Sequence, residues 1–185
     1  MGRPKPLVEL GGRPLISYAV AAVAEAGLEP VIIAKPTSRL PGLGCRVESD
    51  QASRDHPLAG IVAALELAGG PLVAVACDMP LVPAALIAHL ASLEAPVAVP
   101  RLDGRLEPLL ARYGPGALPA LAQALEREEP LQETIASLDP ELITDGELAR
   151  FGDPKRILFN VNTPADLEEA RRMLRPARPR EAARR

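Results

Sequence analysis

Large aromatic side chains are scarce in this sequence of 185 residues, since Phe and Tyr make up 2% of it and Trp is absent. Because 48% of the residues are hydrophobic, we expect one domain with a core of Leu, Val, Ile and Ala. So few rings leave little on which exposed nucleic-acid bases could stack. A formal net charge of -3 gives no general attraction to a polyphosphate chain. Nucleic-acid binding is therefore not expected, whereas a free nucleotide is a suitable ligand.

Cysteine and long hydrophobic runs are also lacking. Cys45 and Cys77 are too few for a structural zinc site, and no secretory signal is recognisable ahead of them. No apolar run reaches the roughly 18 residues that suggest a membrane span. We therefore expect a cytoplasmic protein with reduced thiols and no membrane partner.

Apolar spacing predicts alternating helices and strands in the first half. A helical pattern runs from Leu15 to Ala26 and stops at Gly27, and a buried strand follows at 31–34. A second helix face begins at Leu58, and a third helix covers 86–93 before a strand at 97–99. The continuous apolar run 72–76 indicates a strand covered on both faces. This order predicts an α/β fold with a mostly parallel sheet.

The second half is less regular. Residues 106–113 predict an antiparallel strand, and residues 117–127 and 131–138 are helical in pattern. We expect this half to form the acceptor side, which binds the molecule that receives a transferred group. Thr163-Pro164-Ala165-Asp166 is typical of a helix N-terminus. Residues 175–185 have the composition of a disordered basic tail. We therefore expect a single domain at 1–174 and a tail at 175–185.

An acidic residue, Asp78, follows the predicted strand 72–76 in the run Ala76-Cys77-Asp78-Met79-Pro80. Ligands bind at the carboxyl ends of strands in open α/β sheets. A carboxylate there can hold Mg²⁺ while the metal bridges phosphate oxygens during phosphoryl or nucleotidyl transfer. Asp78 could equally cap the next helix, and spacing alone does not choose between these interpretations.

Three other segments carry groups suited to a nucleotide. Lys5 could pair with phosphates, although a solvated surface lysine has the same local pattern. The run His56-Pro57-Leu58-Ala59-Gly60 opens a helix whose N–H groups could receive an anion or a ribose oxygen, although a plain Pro-initiated start is the alternative. Asn160 and Asn162 lie on one side of an extended segment, where Asx turns could also account for them.

Taken in order, these segments resemble the molybdenum cofactor guanylyltransferases, within the glycosyltransferase-A-like nucleotidyltransferases. The resemblance covers nearly all of residues 1–174 and implies a three-layer, Rossmann-like nucleotidyltransferase fold. The matching runs are Met1-Gly-Arg-Pro-Lys5, Gly11-Gly-Arg-Pro-Leu-Ile16, Pro57-Leu-Ala-Gly60, Cys77-Asp-Met-Pro80 and Asn160-Val-Asn-Thr-Pro164.

The resemblance implies transfer of GMP from GTP to the terminal phosphate of molybdopterin, with release of pyrophosphate. It makes Lys5 and Asp78 catalytic and places Mg²⁺ on Asp78. Because the nucleophile is an already ionised phosphate, neither His56 nor His89 is needed as a general base. Molybdoenzymes or other cofactor-biosynthesis proteins are the partners implied besides GTP and molybdopterin. The implied nucleotide-binding residues are Lys5, Asp50 (with Ser49 as the rival alignment), Pro57, Leu58, Gly60 and Asp78, and the implied substrate-binding residues are Asn160 and Asn162.

Two features depart from the family pattern. The strand and glycine-rich loop that normally precede the Met1 motif are missing, and a start codon assigned to an internal Met would explain this. We expect unpaired strand edges, low stability and weak catalysis as a result. Ala34 stands where relatives often have an Asn. Two hypotheses compete with this one. The first is a related enzyme that transfers CMP to molybdopterin or acts on a different phosphorylated acceptor, and the second is a non-catalytic nucleotide- or pterin-binding protein.

Overall fold

The computed structural model describes residues 4–50 and 56–175. Strands and helices alternate along most of this length, and 3₁₀ turns occur at Lys5–Leu7 and Pro115–Ala117. The strands are β1 (Glu9–Leu10), β2 (Arg13–Pro14), β3 (Val31–Ala34), β4 (Arg46–Ser49), β5 (Leu72–Val75), β6 (Val97–Leu102), β7 (Arg105–Leu106), β8 (Leu110–Tyr113) and β9 (Glu141–Ile143). The helices are α1 (Leu15–Glu25), α2 (Pro57–Ala68), α3 (Ala84–Ser92), α4 (Leu118–Glu126), α5 (Leu131–Ser137), α6 (Asp145–Leu148), α7 (Pro154–Ile157) and α8 (Pro164–Leu174).

The main sheet has β8 between β5 and β6, antiparallel to both, so that β5 and β6 run in the same direction without touching. Strand β9 pairs with β6 in parallel, and β7 forms a hairpin with β6. A separate parallel pair is formed by β3 and β4. The α/β class is confirmed, and parallel pairs occur at β3–β4 and β6–β9. The antiparallel strand predicted within 106–113 is β8, and because it lies between β5 and β6, both of those strands have an antiparallel neighbour instead of pairing in parallel with each other.

Helices cover both faces of the main sheet. Val97, Val99, Ala111 and Tyr113 pack into one buried cluster with α2, α4 and α5, whereas residues of alternate register pack into another with α1 and α3. Because successive side chains of a strand point to opposite faces, a strand covered on both sides must be apolar throughout. The third residue of β8, Arg112, is the exception, and its Nη1 donates to the carbonyl of Ala95. The core therefore has the three layers that the family resemblance implies.

One edge of β5 has no strand partner within the described residues, because its pairing with β8 uses only the other edge. Every residue of β5 is half-buried, whereas every residue of β8 is buried. The alternating hydrogen-bond pattern directs the N–H and C=O groups of Val73 and Val75 to the open side. Helix α2 packs on both β3 and β5. A strand edge left unpaired, as expected from the sequence, is therefore present within the described residues.

Local predictions of helix boundaries are largely confirmed. Gly27 follows α1 with a φ of 79°, a left-handed conformation that favours glycine after a helix. Helices α4 and α5 fall within the two predicted helical stretches, and Thr163 caps α8. Residues 1–3 of the first motif and 176–185 of the predicted tail lie outside the described residues. None of the described helices combines the length and hydropathy required to cross a bilayer.

Candidate active site

Asp78 lies just beyond the carboxyl end of β5, and its backbone is held from two sides. The N–H of Ala76 donates to the carbonyl of Leu109 at 2.7 Å, which fixes the end of β5 beside the segment preceding β8. The N–H of Val161 donates to the carbonyl of Asp78 itself at 2.8 Å. The Asp78 side chain is 18% exposed. The carboxylate is thus positioned at the edge of the sheet where ligands bind in α/β folds.

Lys5 brings a positive charge to this carboxylate. Its Nζ lies 3.2 Å from Oδ2 of Asp78 and also donates to Oδ1 of Asn162. The segment that follows Lys5 is anchored by a buried cluster in which Val8 and Leu10 pack against Val161 and other residues around α8. Lys5, Asp78 and Asn162, which were predicted from separate motifs, therefore meet at one point. Asp78 is 73 positions and Asn162 157 positions from Lys5 along the chain.

Asn162 is held in place by the first turn of α8. Oδ2 of Asp166 accepts hydrogen bonds from the backbone N–H groups of Asn162 at 2.9 Å and Thr163 at 2.7 Å. The Thr163 hydroxyl accepts from the N–H of Asp166 at 3.1 Å, which completes a capping box. These backbone hydrogen bonds hold the pKa of Asp166 below its ordinary value. The sequence predicted the helix start but not that it orients a site residue.

A second carboxylate, Glu107, was missed by the sequence interpretation. It follows β7 and is half-buried. Burial raises the pKa of the Glu107 carboxyl, and the nearby Asp78 raises it further, while Arg105 and a hydrogen bond from the Asn160 side chain lower it. The Asn160 amide also donates to the carbonyl of Leu158 at 3.2 Å. Glu107 is therefore an acidic neighbour of Asp78.

Asp50 belongs to a different cleft, between β3–β4 and α2. Its side chain is 8% exposed and lies 2.9 Å from Nζ of Lys35, and its N–H donates to the carbonyl of Ala34 at 2.8 Å. Ser49, the rival position, lines the same cleft, as do residues of α2 such as Ala59. Lys35 was also missed, although a lysine directly after a strand is a signal that could have been noticed. Asp50 is therefore already paired with a cation before any nucleotide arrives.

The first turn of α2 differs from the sequence expectation. His56 is the N-cap and its Nδ1 accepts the N–H of Leu58 at 3.2 Å, while the carbonyl of His56 accepts the N–H of Ala59 at 3.0 Å. Two of the N–H groups expected to be available to an anion are thus already used. The Leu58 side chain is fully buried, Pro57 is exposed and Gly60 is partly exposed. A nucleotide contact by Pro57, Leu58 or Gly60 stays a prediction.

The donor set at Asp78 fits a hard cation rather than a transition metal. Oδ2 of Asp78 and Oδ1 of Asn162 converge on one positive group, and Mg²⁺ prefers oxygen ligands, keeping several sites for water and phosphate. The described residues contain no group of three or more His, Cys, Asp and Glu side chains suited to a metal. Cys77 is adjacent, but burial raises the pKa of its thiol to about 11. A thiolate nucleophile is therefore not available at neutral pH.

Comparison with known proteins identifies relatives over most of this chain. The "Probable molybdenum cofactor guanylyltransferase" of Pelotomaculum thermopropionicum is 31% identical over 182 residues, covering 96% of this chain and 89% of that protein. A protein of the same name from Opitutus terrae is 36% identical over 146 residues, covering 75% and 72%.

Solved structures show the same fold. The crystal structure of "Molybdopterin-guanine dinucleotide biosynthesis protein A" from Archaeoglobus fulgidus superposes with a TM-score of 0.79 at 26% identity, covering 93% of this chain and 91% of that one. The 2-C-methyl-D-erythritol 4-phosphate cytidylyltransferase of Thermus thermophilus superposes with a TM-score of 0.69 at 20% identity, covering 92% and 93%, a likeness of fold alone. Residues 1–141 match the family described as "MobA-like NTP transferase domain". With most of its length matched, this chain belongs to the MobA-like NTP transferase family.

Proposed function

We propose that this chain is a Mg²⁺-dependent guanylyltransferase that transfers GMP from GTP to the terminal phosphate of molybdopterin. A phosphate oxygen of the acceptor forms a new bond to the α-phosphorus of GTP. The bond between the α-phosphorus and the bridging oxygen of the β-phosphate breaks, and pyrophosphate leaves with the electron pair. The names of the relatives support this reaction, since they are guanylyltransferases and a molybdopterin-guanine dinucleotide biosynthesis protein.

The observation that carries the proposal is the convergence of Asp78 and Asn162 on the ammonium of Lys5. A carboxylate and an amide oxygen aimed at one cationic point suit a magnesium ion bound to a nucleoside triphosphate. The Lys5 side chain is 45% exposed, so it is free to turn toward phosphate oxygens when they displace it. A flexible ammonium can follow a phosphate as a point charge.

Each residue then has a defined task. Asp78 and Asn162 would hold Mg²⁺, which neutralises phosphate charge when it is bound. Lys5 stabilises the charge that develops on the α-phosphate and the leaving pyrophosphate. Asp50, with Lys35, would orient the nucleotide from the cleft beside α2. No general base is required because the attacking phosphate oxygen is ionised, so positioning and electrostatics perform the chemistry.

The test is formation of the dinucleotide from molybdopterin with Mg²⁺ and either GTP or CTP. It compares this chain with a longer one, to whose N-terminus the strand and glycine-rich loop typical of the family have been added. We expect selective use of GTP, loss of activity on chelation of Mg²⁺, and loss of at least about a hundredfold in Asp78→Asn. Asp145→Asn is the matched control, because Asp145 is an exposed carboxylate at the start of α6.

The alternatives give different results. Preferential use of CTP would replace the guanylyl assignment with a cytidylyl one. Binding of a pterin without transfer by either chain would favour a non-catalytic member of the family. Transfer that is equally efficient in Asp78→Asn and Asp145→Asn would remove Asp78 from the reaction.

A further inference from the structure

The carboxylate of Asp166 forms one hydrogen bond more than the start of α8 requires. In a capping box, the N-cap hydroxyl accepts the N–H of the third helical residue, and the side chain of that residue accepts the N–H of the N-cap. Thr163 and Asp166 make both of these contacts. Oδ2 of Asp166 also accepts the N–H of Asn162 at 2.9 Å. Because Asn162 precedes the cap, this third bond is not part of the box.

Helix α6 begins with a capping box that lacks the additional bond. Oε2 of Glu147 accepts the N–H of Thr144 at 2.8 Å and the hydroxyl of Thr144 at 2.7 Å. Within the described part of the chain, Glu147 accepts no hydrogen bond from the residue before this cap. Of the two boxes, the one at α8 is therefore the one that extends to a residue of the candidate active site.

Asn162 needs such support because it lies at the surface. Its side chain is exposed, so close packing does not restrict its rotamers. Its N–H is bound by Asp166, and its Oδ1 accepts a hydrogen bond from Nζ of Lys5. The rotamers open to a side chain depend on the backbone that carries it. The bond to Asp166 therefore restricts the positions that Oδ1 of Asn162 can take.

The preceding residue, Val161, ties the same segment to Asp78. Val161 is fully buried, and its N–H donates to the carbonyl of Asp78 at 2.8 Å. The three consecutive N–H groups of residues 161–163 are thus bound either to Asp78 or to Asp166. These bonds hold Asn162 at a set spacing from Asp78, and these are the two residues whose side-chain oxygens meet one ammonium group in the candidate active site.

We propose that Asp166 is a positioning residue, which fixes Asn162 so that the oxygens of Asn162 and Asp78 are correctly spaced for the magnesium ion of the nucleotide. The inference rests on the proposed function in taking Mg²⁺ as the ion at this site. Asp166 acts through Asn162 and does not itself touch the metal or the phosphates. Removal of a group that orients a metal ligand typically costs about 10- to 100-fold in metal affinity or activity.

The test measures binding of a metal–nucleotide complex without reaction. The probe is Mn²⁺, which suits the same oxygen ligands as Mg²⁺, together with a GTP analogue whose α- and β-phosphates are joined by a methylene group. Electron paramagnetic resonance follows binding of this complex to the full chain and to the longer chain used for transfer. We expect Asp166→Ala to weaken binding about tenfold or more. Asp166→Asn keeps an acceptor oxygen at the same distance from the backbone and should recover part of the loss.

Glu147→Ala is the matched control. It removes the capping box of α6 as Asp166→Ala removes that of α8, but α6 carries no residue of the candidate active site. We expect Glu147→Ala to bind the Mn²⁺ complex within about twofold of wild type, and urea unfolding checks that both variants are folded. Equal affinities of folded Asp166→Ala and Glu147→Ala would overturn the proposal, as would no binding by either wild-type chain.

A double-mutant cycle separates positioning from direct contact. Asn162→Ala removes the group through which Asp166 acts. Adding Asp166→Ala to Asn162→Ala should therefore change the affinity by less than about threefold, compared with about tenfold or more in the wild-type background. If the two losses multiply instead, Asp166 acts independently of Asn162 and the proposal fails.

The binding measurement is independent of transfer. Affinity that depends on Asp166 through Asn162, without dinucleotide formation, would contradict the proposed function but leave the inference standing. Where transfer occurs, Asp166→Ala should raise the apparent KM for Mg²⁺ more than it lowers kcat at saturating Mg²⁺. Dinucleotide formation with an unchanged KM for Mg²⁺ and unchanged Mn²⁺ affinity in Asp166→Ala would contradict the inference alone.

Discussion

Replacement of Lys5 by Met separates the catalytic role of Lys5 from its contribution to the stability of the fold. The Lys5 side chain is 45% exposed and Asp78 is 18% exposed, so water screens their pair at 3.2 Å and it stabilises the fold by at most about 1 kcal/mol. The backbone hydrogen bond from Val161 to Asp78 does not involve Lys5 and should persist. We therefore expect the free energy of unfolding of Lys5→Met to fall by less than about 1 kcal/mol.

The effect on transfer should be much larger. Removal of one preorganised group that stabilises transition-state charge costs about 2.7–4 kcal/mol, or roughly a hundred- to thousandfold in rate. Lys5→Arg should recover part of this loss, because it keeps the charge but replaces a flexible point donor with a planar fork. Single-turnover formation of the dinucleotide at saturating GTP and Mg²⁺ measures the rate, and Lys155→Met, on the exposed surface of α7, is the control. A rate for Lys5→Met within tenfold of wild type, with the fold intact, would refute the reasoning.

Three further outcomes follow from packing, burial and the open strand edge. Leu86 is 0% exposed in α3, so Leu86→Ala should lower the free energy of unfolding by about 2–5 kcal/mol in urea titrations, and a loss below 1 kcal/mol would show that the site is not tightly packed. Because burial raises the pKa of the Cys77 thiol from 9.0 to about 11, iodoacetamide should modify Cys77 in the folded chain only as the pH approaches 11, and rapid labelling at pH 8 would contradict this expectation. The neutral thiol also contributes stability that is complete below pH 9.0 and is lost as the pH rises through about 11. The amides of Val73 and Val75 should exchange with deuterium roughly tenfold or more faster than that of Ala74 in NMR measurements, and equal protection would show that another strand covers the open edge.

The sequence predicted those parts of the site that depend on local patterns. Asp78 was identified because a continuous apolar run must be a strand covered on both faces, and the residue after such a strand lies at the ligand edge. Thr163 and Asp166 form the predicted helix start because capping needs only residues three positions apart. The meeting of Lys5, Asp78 and Asn162 was implied by family resemblance and not by spacing, since no local rule relates residues so far apart in the chain.

What the sequence missed depends on contacts between distant segments. The pairing of Lys35 with Asp50 arises because β3 and β4 are parallel and end side by side. Glu107 lies near the end of β5 because β8 pairs with β5, which brings the segment before β8 next to that end. Strand order of this kind is set by tertiary packing and cannot be derived from the period of apolar residues alone.

The first turn of α2 shows a different limit. Its sequence satisfied the rule for a helix N-terminus with available N–H groups, but that rule does not specify what the N-cap side chain does. The imidazole of His56 accepts the N–H of Leu58, a role that Ser, Thr, Asp or Asn usually fills. A phosphate or ribose oxygen would have to displace this nitrogen. A nucleotide that binds here must therefore compete with His56 for the N–H of Leu58.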